Sequence, residues 1–311
     1  MIVTVTLTPA LDKTVVLPDF ELDRVNRIER LRLDPGGKGI NVSKVLKFLG
    51  ADSLATGLLG GDTGRYIDAC LQDMGIRSRF VWQESPTRTN LKVIDPVRRT
   101  NTDINEPGAP ADERQLREVF DIICEAAQPD DLVVLAGKAP PGAPDTIFAD
   151  WIEALNEKGL TACLDADGAL LQHAVRAKPA LIKPNDQELA RLTGRALGSL
   201  EELARTAKEL CDGGIGFVTV SLGGDGALFV RKDQALYAKG LSVPVQSTVG
   251  AGDSMMAALV YGIEKGLPME DMCGVSVAVR AASVMTPGTQ TPEQADVDRL
   301  LKEVRLTPVA L

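Results

Sequence analysis

From Glu113 onward the chain alternates two periods, and that alternation limits the folds open to it. Glu113–Ala126 and Pro144–Glu157 carry the apolar spacing of helices. Leu132–Leu135 is a short, wholly apolar run that reads as a buried strand, and Thr161–Leu164 reads as a strand ending at Asp165. A strand at Ala180–Ile182, helices at Glu188–Leu192 and Ser199–Cys211, and a strand at Phe217–Val220 extend the series. Strands separated by helices pair in parallel through right-handed crossovers, and such strands are apolar because both sheet faces are covered. Ligands of these sheets bind beyond the carboxyl ends of the strands. That rule gathers Asp12, Lys138, Asp165, Asn185, Glu188 and Ser221 at one rim.

The 311 residues suffice for one large α/β domain or two smaller ones, and 44% hydrophobic content supports a sizeable core. A net charge of −9 excludes nucleic acid and anionic membranes as principal partners. It leaves room for a phosphorylated substrate, which needs only a local cationic pocket. The five cysteines are far apart and form no C-x-x-C pair, which predicts reduced structural thiols in a cytoplasm. His173 is the only histidine, so neither a Ser-His-Asp triad nor a histidine zinc site is signalled. It reads as a polar residue near a helix end. Met1–Leu7 lacks the basic start of a signal peptide, and no apolar run approaches the roughly 20 residues of a membrane span.

Before Glu113 the pattern is looser. Ile2–Leu7 reads as a strand that delivers Asp12, either a turn former or a ligand for sugar hydroxyls. Val15–Leu33 is an extended excursion outside the core. Pro35-Gly-Gly-Lys-Gly-Ile-Asn-Val-Ser43 then opens a helix that runs to Leu49. Gly36, Gly37 and Gly39 let a ligand lie against bare backbone, Lys38 can reach a phosphate, and Asn41 can bind hydroxyls. Leu54–Leu58 reads as a strand, Gly60–Gly64 as a turn and Arg65–Met74 as a helix. Phe80–Gln83, Asn90–Ile94 and Asn101–Asn105 are short extended pieces. Arg88 is either a solvated side chain or a second phosphate contact.

The most chemically suggestive stretch lies late, at Ser247–Gly262. A turn through Gly250, Ala251 and Gly252 runs into an unbroken helical pattern. Bare amides and the positive end of a helix make an anion site. Asp253 is out of place beside an anion. It reads either as a carboxylate stabilising the first helical turn or as a base next to an amide cradle. Asn185 and Glu188, three apart, read either as a capping box or as groups ordering water around Mg²⁺. The Gly223–Gly226 turn joins Val218–Leu222 to Ala227–Val230 as a hairpin. Helices at Glu270–Met285 and Asp296–Val304 close the chain. The usual nucleotide motifs are missing: Lys38 is followed by Gly39, Lys138 by Ala139, no His-Arg-Asp occurs, and Met255 stands where the dinucleotide fingerprint needs glycine.

Four segments in order carry a resemblance to the ribokinase-like, pfkB-type carbohydrate kinases. They are Gly36–Ser43, Lys183-Pro-Asn185-x-x-Glu188, Ser221–Gly226 and Ser247–Asp253 with Ala257-Ala258. Thr6–Asp12, Thr87–Asn90 and Thr248–Ser254 resemble the bacterial 1-phosphofructokinases and tagatose-6-phosphate kinases within that family. Thr8 and Gly137-Lys138 depart from them, where Asn and Gly-Ser are usual.

The resemblance implies a single three-layer α/β kinase domain over 1–311, with a mostly parallel central sheet and a small β-sheet lid from about 13–34 and 86–106. It implies ATP and Mg²⁺ as cofactors, a phosphorylated ketohexose as substrate, and a homodimer formed through the lid. It makes Asp253 the base and Gly250, Ala251 and Gly252 the anion hole. Lys183, Asn185, Ser221, Gly223, Gly226 and Gly252 then face ATP, and Asn185 and Glu188 serve the metal through water. Asp12, Gly36, Gly37, Lys38, Asn41, Arg88, Asn90, Lys138 and Asp253 face the sugar phosphate. The activity implied is phosphorylation of fructose 1-phosphate at its 6-hydroxyl. Tagatose-6-phosphate kinase is the same-class alternative, and a non-catalytic sugar-phosphate sensor is the distant one.

Overall fold

A computed structural model describes all residues, 1–311. In chain order the elements are β1 (Ile2–Thr6), β2 (Ala10–Val16), β3 (Arg30–Gly36), α1 (Lys38–Phe48), β4 (Ser53–Gly60), α2 (Gly61–Asp73), β5 (Arg77–Gln83), β6 (Arg88–Asp95) and β7 (Thr100–Asn105). Then come α3 (Glu113–Ala126), β8 (Leu132–Ala136), α4 (Ile147–Glu157), β9 (Thr161–Asp165), α5 (Gly168–Ala174), β10 (Leu181–Ile182), α6 (Asp186–Thr193), α7 (Leu200–Asp212) and β11 (Phe217–Ser221). Last are β12 (Gly226–Val230), β13 (Ala235–Lys239), α8 (Ala251–Glu264), α9 (Met269–Ser283), α10 (Gln294–Glu303) and β14 (Leu306–Pro308).

The main sheet has ten strands in the order β14-β13-β12-β11-β10-β9-β8-β1-β4-β5. From β11 to β5 every pairing is parallel, and β12, β13 and β14 add an antiparallel edge. Side chains alternate between two cores, as the pleat requires. Val3, Val5 and Leu7 join Leu135 and Leu164 against α3, α4 and α7. Ile2, Val134 and Cys163 join the other face, against α1, α8 and α9. Thr4 also faces α1, where its hydroxyl meets Ser43 at 2.7 Å and Ser43 meets Ser53 at 2.9 Å. That chain satisfies three hydroxyls which would be costly to bury alone. Almost all of the first ten residues of α8 are buried, so it is a core helix covered on every side. No helix is long and apolar enough to cross a membrane.

The chain leaves β1 for β4 and β5 on one side and later returns through β8 on the other. The strand order therefore reverses between β1 and β8, the position where open α/β sheets bind ligands. Across that rim Thr6 pairs with Ala136, and Ala136 with Asp165.

A second sheet, ordered β3-β2-β6-β7, adjoins this rim. β2 pairs in parallel with β6 and antiparallel with β3, and β6 runs antiparallel to β7. Its small core is Val15, Leu17 and Val93. Asp95 anchors the excursion after β2, accepting hydrogen bonds from the amides of Asp19, Phe20, Val97 and Arg98. Val15–Leu33 is thus two strand pieces around a loop of turns rather than one extended segment.

Other boundaries also differ from the sequence reading. α2 starts at Gly61, not Arg65, with Gly60 as its N-cap. α4 starts at Ile147, because Pro144–Thr146 form a turn. α5, β13 and β14 are not expected from the sequence; β13 is held by antiparallel pairing with β12 and β14.

Candidate active site

Gly250 is the N-cap of α8, and its φ of 79° is a left-handed conformation that suits glycine. No side chain caps this helix end. The amides of Gly252 and Asp253 in its first turn therefore remain available to an anion, while Ala251 N makes a long bond of 3.3 Å to the Thr248 carbonyl. Asp253 sits in that turn and is 7% exposed. One of its carboxylate oxygens accepts a hydrogen bond from Asn41 Nδ2 at 2.8 Å. Asn41 is in turn placed by α1, whose start is pressed against β1. Ile40 N donates to Thr6 Oγ1 at 3.0 Å, and a Cβ on Gly39 would lie 2.5 Å from the Val5 carbonyl. The glycines of Gly36–Gly39 serve this close packing as well as any ligand.

Beneath Asp253 lies a charge cluster that sequence reading did not assemble. Asp165, at the end of β9, is 3% exposed. Lys38 Nζ stands 2.8 Å from its Oδ1, and Lys183 Nζ 3.2 Å from its Oδ2. The Lys183 ammonium also lies 3.2 Å from where a Cβ on Gly252 would sit, so a larger residue there would crowd it. Burial works against the Asp165 carboxylate, but Lys183 and Lys38 outweigh it and hold the group at about 2. Asp253 moves the other way. Burial first, then the nearby Asp165 charge, push it up to about 6, against the pull of Lys38, Asn41 and Lys183. Lys38 is raised above its usual range, because Asp165 and Asp253 overcome its own burial. Two carboxylates whose environments drive them apart mark out roles: one is a fixed counter-ion and the other can exchange a proton near neutrality.

Asp253 and Lys38 line a cavity of about 340 Å³ between the sheet rim and the small sheet. Asp12, Asn41, Arg88, Asn90, Gly37 and Lys138 line it too. Asp12 lies within β2 and is no turn former. It accepts from Asn90 Nδ2 at 2.9 Å, and burial raises its carboxyl above the usual value. Gly36 sits behind it: a Cβ there would fall 2.3 Å from Asp12 Oδ2. Arg88 is half-buried and its guanidinium is engaged rather than free. Its guanidinium donates to the carbonyls of Thr8 and Glu106 at 3.2 Å each and of Pro9 at 3.4 Å, joining the small sheet to the rim. Lys138 is exposed and forms no ion pair, so its charge is available to a ligand.

At the start of α6, Asn185 and Glu188 do form a capping box. Asn185 N donates to Glu188 Oε2 and Glu188 N to Asn185 Oδ1, both at 2.8 Å. Asn185 also bridges to Ser221 at the end of β11. The turn after Ser221 places Gly223 and Gly224 with open space above them, and Gly226 with none, since a Cβ there would lie 2.0 Å from the Ala238 carbonyl. No group of three acidic, cysteine or histidine side chains is placed to chelate a metal. Asn185 and Glu188 offer oxygen donors of the kind that suits Mg²⁺ bound through water.

Residues 6–296 match the family described as pfkB family carbohydrate kinase. The chain is 35% identical over 309 residues to the 1-phosphofructokinase of Haemophilus influenzae, covering 99% of this chain and 98% of the relative. It is 35% identical over 307 residues to the 1-phosphofructokinase of Bacillus subtilis, covering 99% of each. The crystal structure of phosphofructokinase-2 from Escherichia coli in complex with fructose-6-phosphate superposes with a TM-score of 0.91 at 28% identity, over 97% of this chain and 98% of that one.

Proposed function

The chain belongs to the pfkB family of carbohydrate kinases, and from that premise we propose that it moves the γ-phosphoryl group of ATP to the 6-hydroxyl of fructose 1-phosphate, giving fructose 1,6-bisphosphate and ADP. The observation that carries the chemistry is Asp253, a buried carboxylate raised to about 6, in the first turn of an uncapped helix and at the wall of the sugar cavity. In this reading Asp253 takes the proton of the substrate hydroxyl. The hydroxyl oxygen bonds to the γ-phosphorus in line, and the bond from that phosphorus to the β,γ-bridging oxygen of ATP breaks. The amides of Gly250, Ala251 and Gly252 hold the charge on the migrating group. Asp165 holds the Lys38 and Lys183 ammonium groups at the same place, 2.8 Å and 3.2 Å from its two oxygens.

Lys183, Ser221, Gly223 and Gly226 border the nucleotide, and Asn185 and Glu188 would order water around Mg²⁺. That ion, when bound, neutralises charge on the phosphates. Asp12 and Asn90 select the sugar hydroxyls, while Lys138, aided by Arg88, binds the phosphate already on the sugar. The small sheet over 13–34 and 86–106 acts as a lid that excludes water, so ATP is not spent on hydrolysis. Leu22, Val25, Ile28, Leu31, Val97 and Ile104 are exposed apolar residues on it, which supports a homodimer formed through the lid. The protein works in the cytoplasm.

Fructose 1-phosphate is favoured by the relatives named 1-phosphofructokinase. The complex of the Escherichia coli relative with fructose-6-phosphate favours a second reading, a ketohexose 6-phosphate such as tagatose 6-phosphate phosphorylated at the 1-hydroxyl. ADP release measured on the three phosphosugars decides between them. The highest kcat/KM is expected on fructose 1-phosphate; equal values would remove the case for it. ADP release on none of them, with binding retained, would instead support a sensor.

A further inference from the structure

Lys44 lies three residues beyond Asn41 on α1 and is 4% exposed. Lys38 and Lys183 share Asp165, but Lys44 forms no ion pair. Its ammonium donates to the Pro35 carbonyl at 3.2 Å and to Thr289 Oγ1 at 2.9 Å. A buried ammonium without a carboxylate in contact is expensive for a fold, so stability alone does not account for it.

Both acceptors belong to segments that meet behind the amide cradle. Pro35 is the penultimate residue of β3, at the point where the small sheet runs into α1. Thr289 lies in the loop after α9. That loop's Val284 carbonyl accepts from Gln246 N at 2.8 Å and from Ser247 N at 3.2 Å, fixing the approach to the Gly250 turn. Thr289 Cγ2 lies 3.4 Å from where a Cβ on Gly250 would sit. Lys44 thus grips the residue that backs the N-cap of α8.

We propose that Lys44 is a positioning residue of the phosphoryl transfer: its ammonium holds Thr289 behind Gly250 and so sets the amides of the first turn of α8. The inference rests on the kinase reading of that turn and not on which phosphosugar is the acceptor. The charged groups facing Lys44 are Asp34 and Arg32 from β3, Asp12 from β2 and Asp253 from α8. Burial outweighs the three carboxylates and lowers the amine to about 8. Loss of its proton above that pH weakens the charge-assisted hydrogen bond to Thr289.

The test compares Lys44→Met, Lys44→Arg, Thr289→Val and the Lys44→Met/Thr289→Val double variant. Each is assayed on whichever phosphosugar the wild type turns over, so a different acceptor displaces the substrate assignment and leaves this test intact. Lys44→Met should lower kcat by about 10- to 100-fold, the scale of a small misplacement at a reacting centre. Its Kd for the phosphosugar, by calorimetry, should stay within about threefold of wild type. Lys44→Arg should restore most of kcat. The wild-type kcat should fall above about pH 8, and Lys44→Arg, which does not titrate there, should lack that fall. The double variant should be no slower than Lys44→Met alone, because both break one contact. Wild-type kcat in Lys44→Met, multiplicative losses in the double variant, or an unchanged alkaline fall in Lys44→Arg would each overturn the proposal.

Discussion

Replacing Asp253 with Asn should make the protein more stable, and by an amount that depends on pH. Asp253 stands at about 6 in the folded chain against an ordinary 3.8, chiefly because it is buried and next because Asp165 is close. The shift is about 2 units, and each unit corresponds to about 1.36 kcal/mol. Keeping Asp253 ionised therefore costs the fold at most about 3 kcal/mol. The folded state holds the proton more tightly than the unfolded state. The penalty is absent below the unfolded value, grows as pH rises, and is complete above the folded value.

Asn cannot ionise, yet its amide oxygen still accepts from Asn41 Nδ2, which now stands 2.8 Å from the carboxylate. Asp253→Asn should therefore exceed the wild type by about 3 kcal/mol at about pH 8, by about half that at about pH 5, and match it near pH 3.5. Urea unfolding with equal m-values measures the difference. A variant less stable than wild type at pH 8, or a gap that does not change with pH, would refute the claim that this carboxylate is held under strain for its chemistry.

Asp165→Asn should do the reverse. It leaves the buried Lys183 ammonium and the part-exposed Lys38 ammonium without their shared partner and should cost about 3 kcal/mol, the low end for a broken buried pair, with loss of most activity; a loss under about 1 kcal/mol in urea would contradict the cluster. Lys138→Ala, which removes an exposed, unpaired cation from the cavity wall, should weaken phosphosugar binding by about 10-fold while leaving the KM for ATP unchanged. Unchanged sugar affinity would mean that the substrate phosphate lies elsewhere.

The central sheet was legible because its strands are buried on both faces and its helices keep one period, so Leu132–Leu135 and Thr161–Leu164 announce themselves. The small sheet was harder to read. Only Val15, Leu17 and Val93 form its core, and β7 is exposed throughout. The rim rule brought Asp12, Lys138, Asp165, Asn185, Glu188 and Ser221 to one side, but not their pairings. That Asp165 clamps Lys38 and Lys183 depends on β9, α1 and β10 meeting, over separations of 127 and 18 residues. The only signal was an acidic residue ending a short, largely buried strand. Lys44 gave none, since a lysine inside a helix is ordinarily solvated. Capping and metal service looked like rival readings of Asn185 and Glu188. The box is formed, and it leaves Glu188 its second carboxylate oxygen and Asn185 the second lone pair of its Oδ1 for water.

Turnover by Asp253→Asn tests the central claim most directly. Steady-state ADP release and calorimetric binding of ATP and phosphosugar should show kcat lowered by at least about 10³-fold, with both affinities close to wild type. A variant that binds both ligands and turns over within about tenfold of wild type would contradict the assignment of Asp253 as the base.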